Sequence, residues 1–307
     1  MKIGINGTGL VQKASVDAIA ADAAAAARDG FSSYWLAEHP SGGFDALTVL
    51  ALVGQRVPGI ELGTAIVPTF PRHPMVLAGQ TLTTAAAIDH RLTLGIGLSH
   101  EPMMAQLGIG FDKPIRHLRE YLTILMALLR TGRADFHGDT LACQAQVFKP
   151  PAVMTPVVVA ALGPQALKVA GTLADGTTLA WVGPRTVGEH IVPRIGEAAA
   201  AAGRPAPRII ATLPVCVTDD PDGVRAAIAS GLSMYGRLPS YRAMFEREGV
   251  DGPADVAIVG DPSQVRAGLK AMADAGVTDF AASEFVRNPR EREATRSLLR
   301  EALNARR

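Results

Sequence analysis

Two adjacent glutamate and histidine residues, Glu38-His39, and a second such pair, His100-Glu101, are the residues best suited to chemistry in this sequence. A histidine can exchange a proton near neutral pH, and a neighbouring carboxylate can orient its ring. Each pair follows a short apolar stretch that is typical of a buried strand, 33–37 and 92–96. The structural alternative is that the first pair caps a strand end and that His100 only shapes a loop.

A third apolar stretch, 61–66, ends in the same manner. It stops at Pro68 and turns into a loop of proline, histidine and arginine that reaches Pro74. Enzymes built on a barrel of parallel strands place their chemistry at the carboxyl ends of successive strands. Polar and titratable residues that follow one strand after another therefore predict a β/α-barrel active site.

A repeated pattern predicts the elements that position these residues. An alanine-rich helix ends at a glycine and a short β-rich stretch follows, at Gly30, Gly176 and Gly276. Glycine adopts the left-handed conformation that ends many helices, and strands alternating with helices indicate a parallel sheet. The predicted strands lie near 2–6, 33–37, 61–66, 92–96, 157–160, 177–180, 209–217 and 279–282.

We therefore predict the α/β class and a single (β/α)8 TIM barrel domain over residues 1–307. Helices fill the intervals, and the last of them is predicted over 290–305. Two excursions interrupt the alternation, near 131–156 and near 231–255, and we expect the second to cover the mouth of the barrel. Long connections of this kind in a compact fold are usually functional.

Bulk composition excludes several classes of protein. A formal net charge of +1 over 307 residues, with no basic block, argues against nucleic-acid binding. Neither a secretory signal nor an apolar run long enough to cross a membrane is present, so we expect a cytoplasmic protein. Cys143 and Cys216 are far apart and are expected to be reduced thiols. No histidine spacing indicates a metal site.

Several segments also resemble a known family. They are 34–39 (YWLAEH), 63–74 (GTAIVPTFPRHP), 119–130 with its tail 135–139 (DFHGD), and the closing 260–266 (GDPSQVR). In their order and spacing they resemble the luciferase-like monooxygenase superfamily, and within it the branch that uses the deazaflavin coenzyme F420. The resemblance implies an oxidoreductase that moves a hydride between C5 of the deazaflavin and a small organic substrate.

The resemblance also implies roles for particular residues. His39 and Glu38 match a histidine and an acid at the coenzyme ring and active site, and the bond between Ala65 and Ile66 matches a non-prolyl cis peptide that backs the ring. A glutamate that donates a proton in related sugar-phosphate dehydrogenases is replaced here by His100. The same reaction is therefore not implied, although His100 remains a candidate acid or base.

Further residues are expected to contact the coenzyme. Gly95 and Gly97 would let the backbone approach a planar ring closely, and Gly163 precedes a proline at the start of a helix, where free amides attract phosphate. The alternatives are a generic turn at Gly163 and a plain core role for Trp181. The predicted coenzyme contacts, besides His39, Ala65 and Ile66, are Gly97, Leu98, Ser99, Ala161, Leu162, Gly163 and Trp181.

Two other functions remain open at this level. One is an FMN-dependent monooxygenase of the same barrel family, and the other is a non-catalytic barrel that binds a cofactor. We expect a small-molecule substrate of unspecified identity and a homodimer.

Overall fold

Eight parallel strands form a closed barrel in the computed structural model, which describes residues 1–11, 15–39, 42–149 and 152–304. Each strand pairs with the next along the chain, and the eighth pairs with the first, with Lys2 opposite Asp279. This closure confirms the predicted (β/α)8 barrel. The barrel strands are Lys2–Asn6, Ser33–Leu36, Glu61–Thr64, Leu92–Gly97, Val157–Val159, Gly176–Ala180, Arg208–Thr212 and Asp279–Glu284.

Side chains alternate between the inside and the outside of the barrel, as the pleat of a strand requires. Trp35, Val158, Ile210 and Ala281 form a separate buried cluster, while their strand neighbours pack in the larger cluster between sheet and helices. The Trp35 ring occupies the space that a side chain on Gly63 would fill. The interior is therefore a packed core and leaves room for a ligand only at an end.

Helices surround the barrel, and most begin with a proline in the first turn, where its missing N–H costs nothing. Asp45, Asp220 and Asp261 cap three of them through their side chains. The α-helices are Thr8–Val11, Val16–Arg28, Ala46–Arg56, Pro74–Ala87, Glu101–Gln106, Pro114–Thr131, Pro164–Leu173, Pro184–Thr186, Val192–Ala201, Pro221–Gly231, Pro239–Glu248, Pro262–Asp274 and Pro289–Asn304, with a π-helical turn at Val187–Ile191 and a 3₁₀ turn at Tyr235–Arg237.

The first excursion is an antiparallel hairpin of strands Arg133–His137 and Ala142–Gln146. The carboxylate of Glu120, on the preceding helix, accepts the N–H groups of Asp139, Thr140 and Leu141 at 3.0, 2.8 and 2.9 Å, and the Thr140 hydroxyl at 2.6 Å. A side chain on Gly138 would overlap Glu120. One buried carboxylate therefore holds the turn of the hairpin against the barrel.

The second excursion, predicted near 231–255, lies within the connection between barrel strands seven and eight. That connection also contains the outer strands Pro214–Val217 and Ile258–Gly260, which extend the sheet beside strand eight. The helices Tyr235–Arg237 and Pro239–Glu248 lie between them. The tyrosines of these helices contact His100 and Trp181, so the excursion covers the mouth of the barrel as expected.

Three predictions about the strands were wrong in detail. The stretch 209–217 is two strands, because Pro214 has no N–H with which to continue the ladder. The third strand ends at Thr64, and Val67–Pro68 resumes the pairing against strand four. The three-residue strand Ile258–Gly260 was not predicted. Ala305, the last residue of the predicted final helix, lies outside the described residues.

Ion pairs between side chains of three strands close the amino-terminal end of the barrel. Arg208 donates to Glu61 at 2.9 Å and to Asp279 at 2.7 Å, and these side chains come from strands seven, three and eight. The open mouth is therefore at the carboxyl end of the strands. Within the described residues, none of the helices combines the length and the apolar character that crossing a bilayer demands.

Candidate functional site at the barrel mouth

The chain changes direction at the end of the third strand. The peptide bond between Ala65 and Ile66 is cis, which confirms the expectation from the resemblance. The Ala65 N–H donates to the Leu36 carbonyl at 2.7 Å, and the Ile66 carbonyl accepts the Glu38 N–H at 3.0 Å. Ala65 packs on the interior cluster of the barrel. These contacts join the ends of strands two and three at the mouth.

The glycines of strand four serve the packing of neighbouring strands. A Cβ on Gly95 would overlap the Thr64 carbonyl, and one on Gly97 would lie 3.0 Å from Ala160 Cβ and 3.2 Å from the Ile66 side chain. The space beside Gly95 is therefore filled by strand three, which corrects the expectation that this glycine makes room for a ring. At Gly97 a ligand contact would have to come from the backbone.

Glu38 is held by two partners. Its Oε1 accepts from Arg72 at 2.7 Å, and its Oε2 accepts the N–H of Ala46 at 3.3 Å. Arg72 also binds the carboxylate of Asp45, the cap of the helix that begins at Ala46. The Glu38 side chain is 12% exposed and that of Arg72 18%. Both oxygens of Glu38 are thus engaged in holding the loops after strands two and three together.

His39 and His100 come together at the mouth from the ends of strands two and four. Burial lowers the pKa of His39, and the Glu38 carboxylate only partly opposes this. Burial also lowers the pKa of His100, and charge on His39 lowers it further. Both imidazoles are consequently neutral at pH 7.

The backbone before His100 is unusual. Ser99 has a φ of 61°, in the left-handed region that few non-glycine residues adopt. His100 then stands at the cap of the helix Glu101–Gln106 but makes no side-chain capping bond, so its ring is not used to begin that helix. Glu101 is exposed on the first turn. Ser99 Oγ donates to Met103 Sδ at 3.6 Å.

Aromatic side chains cover His100. Its ring centroid lies 5.7 Å from that of Tyr241 and 6.4 Å from that of Tyr235. Trp181, at the end of strand six, has a φ of 58° and contacts Tyr235 at 5.8 Å between centroids. The Trp181 Nε1–H is buried beside the Tyr235 hydroxyl, and its hydrogen bonding there partly opposes the rise in the pKa of Tyr235 that burial causes.

The turn after strand five faces the same end of the barrel. Gly163 caps the helix Pro164–Leu173 without a side-chain bond, and the space beside its Cα is open. His190, from the π-helical turn, donates through Nε2 to the Leu162 carbonyl at 2.8 Å, and Ala161 is fully buried. These contacts fix the turn, and the free N–H groups at the start of the helix Pro164–Leu173 remain available to an anion.

His117 belongs to this region and was not predicted. It stacks on Phe70 at 4.0 Å and lies 3.2 Å from Thr69 Oγ1 through Nε2. Thr69 follows the short strand Val67–Pro68, and its N–H donates to the Gly97 carbonyl at 2.9 Å. Burial lowers the pKa of His117 to about 4, against a weaker opposite effect of Glu120. An isolated histidine on an amphipathic helix carries no signal that could have revealed this contact.

Together these features define a (β/α)8 barrel whose carboxyl-terminal mouth holds neutral imidazoles, an uncapped helix start and an aromatic cover. The family model described as "Luciferase-like monooxygenase" matches residues 4–279. The chain belongs to this family, whose members are enzymes, and the predicted resemblance is confirmed at that level.

Proteins similar to this chain carry names with different cofactors. An "F420-dependent glucose-6-phosphate dehydrogenase" of Mycobacterium leprae is 28% identical over 70% of this chain and 66% of its own length, just under two thirds. The F420-dependent tetrahydromethanopterin reductase structure from Methanopyrus kandleri has a TM-score of 0.82 at 22% identity and covers 99% of both chains. A Baeyer–Villiger monooxygenase component from Pseudomonas putida, in complex with FMN, has a TM-score of 0.77 at 16% identity, over 99% of this chain and 98% of its own.

Proposed function

We propose that this protein is a coenzyme F420-dependent oxidoreductase that transfers a hydride between C5 of the deazaflavin and a small alcohol or carbonyl compound. The observation that carries the proposal is that His39 and His100 both stand at the carboxyl-terminal mouth of the barrel, after strands two and four, with the rings of Tyr235 and Tyr241 against His100. The 28% identical relative named as F420-dependent supports the choice of cofactor.

The residues at the mouth fit a phosphorylated, planar coenzyme. The uncapped start of the helix Pro164–Leu173 offers free amides to a phosphate, and Leu98, Ser99 and Leu162 follow the ends of strands four and five at the same end of the barrel. We assign His39, Ala65, Ile66 and the Gly97 backbone to the side of the ring. When bound there, the deazaflavin supplies a carbon centre that gives or accepts a hydride.

His100 is the group we assign to proton transfer. When an alcohol is oxidised, its carbon loses a hydride to the coenzyme and its hydroxyl loses a proton, which the neutral ring of His100 accepts. In the reverse direction the protonated ring returns that proton to the carbonyl oxygen. A general base works in its unprotonated form, and the low pKa of His100 keeps it in that form at neutral pH.

Glu38 is better suited to positioning than to proton transfer. Its two oxygens accept from Arg72 and from the Ala46 N–H, so it fixes the loop on which His39 stands. We therefore propose that Glu38 positions His39, and that the proton passes through His100.

Titration with the two cofactors tests the proposal directly. Deazaflavin should bind with a dissociation constant in the micromolar range or better, about −8 kcal/mol at 1 μM, and FMN should bind more weakly. Stronger binding of FMN would favour a monooxygenase, as in the FMN-containing structure of the same fold. Deazaflavin binding without turnover of any alcohol or carbonyl compound would favour a non-catalytic barrel.

Two variants separate the roles of the histidines. His39→Ala should weaken deazaflavin binding and lower turnover. His100→Ala should leave deazaflavin affinity unchanged and lower turnover of an alcohol by about 10²–10⁴-fold, as the loss of a general base does. The acid limb of wild-type turnover should lie below pH 6.5, the ordinary histidine value, and should disappear in His100→Ala. Full turnover by His100→Ala would move the proton-transfer role to another residue.

A further inference from the structure

The interior-facing residues nearest the mouth form a floor on which a bound molecule would stand. Side chains alternate along each strand, so one residue at or just beyond the end of every strand faces inward at this level. Trp35 and Ile210, one level below, are fully buried, whereas most residues of the floor are partly exposed. Strands two to six contribute only small apolar residues to the floor, namely Ala37, Ala65, Gly97, Ala160 and Ala180.

Strands seven, eight and one contribute the polar residues of the floor, Thr212, Ser283 and Asn6. Strands one and eight pair as far as Ile5, and the same register sets Asn6 beside Ser283. Asn6 Nδ2 donates to Thr212 Oγ1 at 3.4 Å, which links strand one to strand seven. These three side chains are called the polar side of the floor below.

A local hydrogen bond fixes the direction of the Asn6 amide. Its Oδ1 accepts the Thr8 N–H at 3.0 Å, so Nδ2 is the end of the amide that is left for the floor. An amide nitrogen carries two hydrogens, and Thr212 takes one of them at the long distance of 3.4 Å. Among the described residues, the second hydrogen meets no acceptor.

The two hydroxyl groups of the polar side also have hydrogens to donate. Thr212 is 4% exposed and accepts from Asn6, while its own O–H has no acceptor within the part of the chain that the structure describes. The Ser283 hydroxyl makes no hydrogen bond to any described residue. Buried polar groups are nearly always hydrogen-bonded, so an acceptor from outside the protein completes these donors. An oxygen atom of a bound molecule has the chemistry that they require.

The polar side lies away from the residues assigned to the coenzyme ring and next to the aromatic cover. The ring residues come from the ends of strands two to four, whereas the polar side comes from strands seven, eight and one. The Thr212 carbonyl accepts the Trp181 N–H at 3.1 Å. The Trp181 ring contacts Tyr235, and Tyr235 lies against His100, the residue assigned to proton transfer. A molecule on the polar side would therefore stand between the coenzyme and the aromatic cover.

We propose that Asn6 is a specificity-determining residue whose Nδ2 donates a hydrogen bond to an oxygen of the substrate, with the Thr212 and Ser283 hydroxyls beside it. The proposal rests on the proposed function and adds a chemical requirement. The end of the substrate that reaches the floor must carry an oxygen acceptor. The alternative is that Asn6 has only a local role, in accepting the Thr8 N–H before the helix Thr8–Val11.

Asn6→Asp separates the two roles, because a carboxylate still accepts the Thr8 N–H but has no hydrogen to donate. Cyclohexanone and methylenecyclohexane are matched probes, since they share a ring and differ in the oxygen acceptor. In calorimetric titrations with deazaflavin bound, cyclohexanone should bind Asn6→Asp at least about 3- to 10-fold more weakly than wild type, the worth of one neutral hydrogen bond. Methylenecyclohexane should bind the two proteins equally.

Two further variants complete the comparison. Thr212→Val keeps the shape of the side chain and removes its hydroxyl, so it should weaken the binding of cyclohexanone and not of methylenecyclohexane. This variant decides the question if Asn6→Asp fails to fold. Asn288→Asp is the matched control, because Asn288 is exposed and its Oδ1 likewise accepts a backbone N–H, that of Glu291. It should leave the binding of both probes unchanged.

Three results would overturn the proposal. They are equal losses for the two probes, unchanged cyclohexanone binding in Asn6→Asp and Thr212→Val, and no binding of cyclohexanone to wild type. Deazaflavin affinity of Asn6→Asp should stay within about twofold of wild type, and its loss with unchanged cyclohexanone binding would place Asn6 on the coenzyme. If wild type does not bind deazaflavin, the proposed function fails, and titration of both probes into the coenzyme-free protein still tests Asn6.

Discussion

The buried His117 should make the stability of this barrel depend on pH. Its ring is 6% exposed, stacked on Phe70 and bonded to Thr69, and burial lowers its pKa from 6.5 to about 4. The unfolded chain therefore binds this proton more readily than the folded protein does. The neutral ring of His117 makes its full contribution to the free energy of unfolding above about pH 6.5, and this contribution is lost progressively as pH falls towards 4.

The size of the effect follows from the two pKa values. A shift of this size gives a loss of about 2 kcal/mol in the free energy of unfolding between pH 7 and pH 5 from this residue alone. His117→Phe keeps a ring between Phe70 and Tyr121 but cannot titrate. It also leaves the Thr69 hydroxyl without its partner, which costs about 1 kcal/mol at every pH.

Urea unfolding of both proteins between pH 5 and pH 7, followed by circular dichroism, measures the difference. Wild type should be the more stable at pH 7, and the difference should move by about 2 kcal/mol in favour of His117→Phe at pH 5. His137→Gln, on the exposed hairpin, should run parallel to wild type. Parallel curves for wild type and His117→Phe would show that His117 titrates normally and would refute the reasoning.

Two further substitutions probe the contacts that hold the loops at the mouth and beside it. Glu120→Gln should lower the free energy of unfolding by about 2–4 kcal/mol, because an amide cannot accept all the donors of the 139–141 turn. Hydrogen bonds from that turn together outweigh burial and lower the pKa of Glu120. The difference in free energy of unfolding between wild type and Glu120→Gln should therefore shrink as pH falls below 4.5. A difference that does not change with pH would contradict this account. Arg72→Met should lower the free energy of unfolding by about 3 kcal/mol, because it leaves Glu38 with only the Ala46 N–H, and it should weaken deazaflavin binding through His39. The control is Arg119→Met, at an exposed position. Equal effects of the two substitutions would remove the role assigned to Arg72.

Sequence patterns predicted the regular part of the fold because each pattern has a local physical cause. Gly30 and Gly276 follow helices in the left-handed conformation that other residues resist, and both have positive φ in the structure. The same prediction was wrong for Gly176, which is the first residue of strand six. Apolar stretches between these glycines could only be strands of a buried parallel sheet. The carboxyl ends of those strands then had to share one end of the barrel, which is why His39 and His100 were predicted to lie at the same mouth.

What the sequence could not predict depends on contacts between distant segments. The pairing of Arg72 with Glu38 joins two loops, and neither residue has a neighbour in sequence that indicates it. The hairpin at 133–146 depends on Glu120, which reads in sequence as one more polar position of an amphipathic helix. Ile258–Gly260 is a strand only because Pro214–Val217 leaves the barrel and offers it an edge.

The segments that carry the family resemblance contact one another, and this bears on what the resemblance can predict. Arg72 of the segment 63–74 binds Glu38 of the segment 34–39, and Glu120 of the segment 119–130 accepts the N–H of Asp139 in the segment 135–139. Such contacts fix the loops and the hairpin of the scaffold.

Residues that would meet the substrate lie outside those contacts. The resemblance matches His100 to a glutamate of related dehydrogenases, and Trp181, Tyr235 and Tyr241 come from a strand end and an excursion outside the quoted segments that carry the resemblance. A neutral imidazole accepts a proton where a protonated carboxyl group would donate one. We therefore expect the reaction of this protein to differ from that of its relatives in the group that handles the proton.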